Sequence, residues 1–242
     1  MTPDALLSRK QREIADRERR IVEIARRELV ARGYLGLSMD RIAEAIEYSK
    51  GTVYQHFSCK EDLVAEVTIG TMQVRGAFFA RAAAFNGRPR ERILAVGYAD
   101  LVFAQKCAEH FAAENIVDLG SIRDKVSPDR LERLHRAKDE LMEPLLSVVH
   151  DAVAEGDLVL PDDAPECLPL YGLWSMSVGH HRIHGCGEIG RHFENVDLPR
   201  ALWRNYELFL DGCAWRPLST EWDYAATVER VRTEVDFDDI LA

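Results

Sequence analysis

The chain has 242 residues, 47% apolar and 30% charged, a balance that supplies a substantial core and excludes an intrinsically disordered chain. The longest uncharged stretch, 167–181, is too short and too interrupted by Pro, Gly and Ser to span a bilayer. The first residues lack a signal-peptide core, so the expectation is a cytoplasmic protein with no membrane partner.

The net charge of -10 is unevenly placed: residues 1–60 carry 12 Lys and Arg against 9 Asp and Glu, leaving -13 for the rest, so a polyanion should meet the first quarter of the chain. Five widely spaced cysteines without a CxxC indicate neither a disulfide framework nor a zinc ribbon.

In chain order, Arg9, Lys10 and Arg12 fall in a basic arm over 1–15, either a solubilising tail or a segment that follows the minor groove. Asp16 can cap a first helix to about 32, with Ile21, Ile24, Ala25 and Leu29 on one face and Gly33 as its stop. Ser38 opens a second, whose Met39, Ile42, Ala43 and Ile46 form one apolar stripe barely two turns long. Ser49 caps a third through 57, and Ser58 with Glu61 reads as a capping box for a fourth. Two short helices joined by a tight connection read as a helix-turn-helix. Longer helices follow over about 60–84, 89–108, 112–119, 128–155 (with a kink at Pro144), 164–184, 198–211 and 224–235. No strand pattern appears, and the expected class is all-α.

The third helix carries the most specific pattern. At about 100° per residue, Val53 and Phe57 define an inner side, Thr52, Gln55 and Gly51 the opposite one, and Tyr54 and His56 the flanks. Lys50 projects from the start. Small hydrogen-bonding residues at the floor and phosphate-reaching groups at the walls suit a helix laid in a major groove. A packed, solvent-edged helix is the other reading of the same periodicity.

The run SMDRIAEAIEYSKGTVYQHFSCKEDL, preceded by ARRELVARGY, resembles the DNA-binding domain of the tetracycline-repressor-like (TetR/AcrR) family over about 21–67. It departs in the turn, where the family usually has Gly and this chain has Glu47. The resemblance implies a three-helix helix-turn-helix domain (16–62), a helical ligand-binding and dimerisation domain (63–216) and, here, an acidic C-terminal extension (217–242). It implies base contacts from Lys50, Gly51, Thr52 and Gln55, phosphate contacts from Tyr54 and His56, and further contacts at the helix starts from Ser38, Ser49 and Lys60. It also implies a homodimer on a palindromic double-stranded DNA operator, repression and a small-molecule effector, with no cofactor and no enzymatic activity. Tyr98, Phe103, Phe111, Met142, Tyr171 and Trp174 are candidates to line an effector cavity. Met176, Val178, Leu202, Trp203, Tyr206, Phe209 and Leu210 are candidates for the dimer interface, with an internal core as the other reading of that apolar bulk.

Other inputs stay open. His180, His181, His184, Cys186 and His192 include an i, i+4 histidine pair with metal-ligand spacing, yet no HExxH or paired CxxC accompanies it, and they are read as interface or pocket groups. Cys59, at the start of the fourth helix beside Lys60, is a candidate redox switch. An enzyme lacks every familiar signature here, and a helical protein-interaction module is the remaining alternative.

Overall fold

The computed structural model describes residues 8–116, 119–185 and 191–241, and these form helices and connecting turns with no strand among them. The helices are α1 (Arg9–Gly36), α2 (Met39–Ala45), α3 (Lys50–His56), α4 (Lys60–Ala83), α5 (Pro89–Lys106), α6 (Ala108–Ile116), α7 (Leu119–Ile122), α8 (Pro128–Ala154), α9 (Leu168–Gly185), α10 (Leu198–Gly212) and α11 (Tyr224–Glu234). They divide into two compact units, Met1–Gln73 with Lys106–Asp139, and Val74–Gln105 with Glu140–Ala242.

In the first unit, α1 begins earlier than its charge pattern predicts. Ser8 and Gln11 form a reciprocal capping box, so Arg9, Lys10 and Arg12 are helical residues, which corrects the expectation of an arm preceding the helix. Gly33, at φ 66, breaks the helical geometry where a stop was predicted, a conformation that costs glycine nothing. The stripe Ile21, Ala25 and Leu29 packs with Ile42, Ala43, Val53 and Phe57 into one core, completed by Leu63, Val64 and Val67 of α4. Neither two-turn helix is stable alone, so this shared burial is what holds α2 and α3.

The predicted capping box at Ser58 and Glu61 does not form. The Ser58 hydroxyl donates to the Asp62 carboxylate, Glu61 accepts from the Tyr34 hydroxyl, and Cys59 Sγ takes the Asp62 N–H at 3.4 Å. A thiol therefore caps α4 because the helix starts one residue later than the motif requires.

In the second unit, α9 packs against α10, and Gly172 makes this close approach possible: a Cβ there would lie 2.1 Å from the Phe209 ring. The helix α8 runs continuously through Pro144. The acidic C-terminal segment is docked. The fully buried Arg90 donates to the carbonyls of Trp215 and Pro217 and pairs with Asp211, Arg81 pairs with Asp239, and Phe237 stacks on Phe78. No helix of the described residues is long and apolar enough to cross a membrane.

Candidate nucleic-acid interface

The turn from α2 to α3 is a Schellman motif: the Tyr48 N–H donates to the Ala43 carbonyl at 3.0 Å and the Glu47 N–H to that of Glu44 at 3.1 Å. Its left-handed position is Glu47, at φ 57. A non-glycine residue is thus held in this left-handed conformation, at a cost of roughly 1 kcal/mol, by the packing of both helices.

Ser49 then caps α3, accepting from the Thr52 N–H at 3.1 Å while the two hydroxyls pair at 2.8 Å. Val53 and Phe57 are completely buried, which turns Lys50, Gly51, Tyr54 and Gln55 outward. Thr52 is half-buried; Tyr54 is 45% exposed. The Lys50 ammonium is 2.7 Å from Asp40, and this hydrogen bond raises its pKa. Ser38 caps α2 through its backbone alone, with no side-chain capping bond. Lys60 reaches back over the Tyr34 ring and donates to the Tyr34 carbonyl at 3.2 Å. Burial, then the bond to Glu61, pushes the Tyr34 hydroxyl up to about 12.

His56 corrects the predicted set. Its side chain is only 7% exposed and turns in toward Glu18 of α1, with Nδ1 3.6 Å from the carboxylate. It follows the buried face because α3 ends at this residue and the chain turns inward to Phe57.

The second unit holds a polar cluster that the sequence pattern did not disclose. Asp100 accepts from Arg75 at 2.6 and 3.0 Å, from Ser177, and faces His181 Nε2 at 3.3 Å. Burial opposes the Asp100 charge, but Arg75 and the hydrogen bonds win and hold its pKa well below the usual carboxylate range. The Arg75 guanidinium lies between the rings of Phe79, Phe103 and Trp174. This cluster borders a cavity of about 40 Å3 that Tyr206 and Leu145 also line. Of the six aromatic and sulfur residues expected in an effector cavity, only Trp174 lines it. Phe103 is core, Tyr171 is 73% exposed, Tyr98 borders a surface cleft, and Met142 and Phe111 are half-buried elsewhere. The available signal was a charge on each apolar helical stripe, Arg75 ahead of Phe78 and Phe79, and Asp100 between Val96 and Phe103.

Leu202, Tyr206 and Leu210 are buried within the second unit, which removes them from any surface between copies. Met176, Trp203 and Phe209 are half-buried, and Val178 is exposed together with Leu168, Tyr171 and Leu208. His181 is engaged with Asp100 and lies edge-on to His180. The His184 side chain and Cys186 lie outside the described residues, among which no group of three or more potential ligands is placed to hold a metal. The Cys59 thiol donates to the Lys125 carbonyl at 3.3 Å.

A polar ridge on a short helix, oriented by a buried pair beneath it and following a Schellman turn, is the arrangement of a helix-turn-helix. Residues 21–67 match the family model described as bacterial regulatory proteins, tetR family, and the amino-terminal domain belongs to that family. No curated protein matches the chain. Its fold is that of solved tetR-family structures. A TetR/AcrR-family transcriptional regulator from Thermobifida fusca shares 21% identity over 81% of this chain and 98% of that one, with a TM-score of 0.59. PfmR from Thermus thermophilus shares 19% over 79% and 97%, with a TM-score of 0.56. AibR, solved with isovaleryl coenzyme A and operator DNA, shares 23% over 69% and 86%, with a TM-score of 0.52.

Proposed function

We propose that the chain is a ligand-responsive repressor in the cytoplasm that binds a palindromic operator as a homodimer. The observation that carries this reading is the outward ridge of α3, with Lys50, Gly51, Tyr54 and Gln55 exposed and Thr52 half-buried beside them; on this reading Lys50, Gly51, Thr52 and Gln55 meet bases and Tyr54 meets a phosphate. Ser38, Ser49 and Lys60 stand at the neighbouring helix starts, where N–H groups favour anions. A single such helix reads few base pairs, so two copies about 34–36 Å apart are needed for specificity. The exposed apolar residues of α9 and α10 support pairing there.

The second unit supports an effector role. AibR was solved with an acyl coenzyme A and operator DNA, so one protein of this fold takes both kinds of ligand. In this chain the internal cavity of about 40 Å3 is far below the roughly 300–1,000 Å3 of typical ligand sites. The same unit also carries a surface cleft of about 920 Å3 bordered by Tyr98, Leu101 and Trp203, so an effector takes either that cleft or a more open state of the cavity, and its difference in affinity between DNA-binding and released states is the regulatory free energy.

The test starts by selecting bound duplexes from genomic DNA, followed by anisotropy titrations of variants. Tyr54→Phe weakens all duplexes alike, whereas Thr52→Ala changes the preference among them, each by about 1–3 kcal/mol. If both variants bind every duplex as the parent does, α3 does not read DNA.

A further inference from the structure

We infer that Arg130 of α8 is a positioning residue for DNA reading: its guanidinium fixes the end of α3 against α1 and α4. This inference rests on the proposed function, and it concerns a residue far from the ridge in sequence that makes no part of the outward face.

The side chain of Arg130 is 11% exposed and spends its donors on three other helices. Nε donates to Glu66 of α4 at 3.0 Å, and Nη2 donates to Glu18 of α1 at 3.2 Å and to the His56 carbonyl at 3.3 Å. The Asp62 carboxylate stands 3.8 Å from Nη1, and the Phe57 ring lies under the guanidinium with its centroid 4.3 Å away. Two further contacts anchor the start of α8 itself: Arg133 grips Glu66 through both Nη atoms at 2.7 Å, and the Ser127 N–H donates to Asp62 at 2.7 Å.

Two of these contacts, to the His56 carbonyl and to the Phe57 ring, fall at the end of α3, where it is weakest. A seven-residue helix cannot hold its own geometry, and the His56 carbonyl is among the last four, which lack intrahelical partners. A cation at that end meets the negative pole of the helix. Phe57, the ring beneath Arg130, is one of the two buried residues that decide which face of α3 points outward. Against a well-packed apolar group, a buried ion cluster adds little net stability; what it supplies is a defined geometry. Lysine cannot replace it, because one ammonium lacks the planar fork that reaches α1, α3 and α4 together.

Three measurements on the full chain test this: affinity for the selected duplex, its salt dependence, and hydrogen exchange of the backbone amides at 53–57. For Arg130→Met, affinity falls about tenfold or more with the salt slope unchanged, because no phosphate contact is lost, and the α3 amides exchange faster while those of α9 and α10 do not. Arg130→Lys falls between the two, and it carries the same test should the Met variant fail to fold. Unchanged affinity with unchanged α3 exchange overturns the inference. So does a salt slope lower by about one, which marks a direct phosphate contact. If the parent chain selects no duplex, the proposed function fails; the exchange measurement then decides alone whether Arg130 holds α3.

Discussion

The His110 imidazole is held by two partners whose chemistry fixes its protonation. Arg26 can only donate, so Nε2 accepts from it, and Nδ1 carries the proton given to Thr71 Oγ1 at 3.0 Å. Burial first, then the Arg26 charge, push its pKa down from 6.5 to about 4. The unfolded chain therefore binds this proton more readily, so the stability tied to the neutral ring is complete above 6.5 and is lost as pH falls toward 4. The expected loss is on the order of 1–2 kcal/mol after allowing for partial exposure. Urea unfolding at pH 7 and pH 4.5 measures it, and His110→Gln should flatten the difference; an equal pH dependence in both proteins refutes the assignment. Arg75 and Asp100 left only the trace of a charge on an apolar stripe, and His110 and Arg130 left none, because a charged or polar residue in a helical pattern reads as surface unless its partner, 25 positions away for Arg75 and 84 for His110, is known to meet it.

At the scale of elements, periodicity placed α2, α3 and the buried pair Val53 and Phe57, since each rests on spacing within one or two turns. It missed the true start of α1, where a charged face hides a capping box, and the inward turn of His56, which depends on contact with α1. The turn residue Glu47 was legible only against the family pattern. Gly51 gives this scale its prediction. An added Cβ would meet only Ser49 Oγ, at 3.8 Å, so alanine fits and should stabilise α3 by about 0.5 kcal/mol. If Gly51 is there for close approach to the groove floor, Gly51→Ala also weakens operator binding, by about tenfold. Thermal unfolding and anisotropy read the two effects separately, and a variant both more stable and equally tight denies Gly51 its place at the groove.

For the whole molecule, the proposed function requires an acidic chain to present a DNA-binding face twice. The excess of basic residues in the first 60, against -13 in the remainder, leaves attraction to phosphate local to the proposed reading head, so on this proposal specificity comes from pairing two heads rather than from bulk charge. For the proposed pairing surface, apolar content points to the last two long helices, and burial decides which of their faces is free. In α9, Leu168, Tyr171, Ser175 and Val178 follow one another at intervals of three and four residues, and all four are exposed, as is Leu208 of α10. Tyr171→Asp with Val178→Asp places two carboxylates per copy on that stripe without touching the buried Leu202, Tyr206 and Leu210. Opposed across a two-fold axis, they should raise the dimer dissociation constant by about a hundredfold or more, as read by sedimentation equilibrium. Affinity for the full palindrome should then fall toward that for a single half-site, while half-site binding stays as it was. A double variant that remains dimeric rejects this face of α9, and one that becomes monomeric yet binds the palindrome undiminished rejects the paired mode of reading.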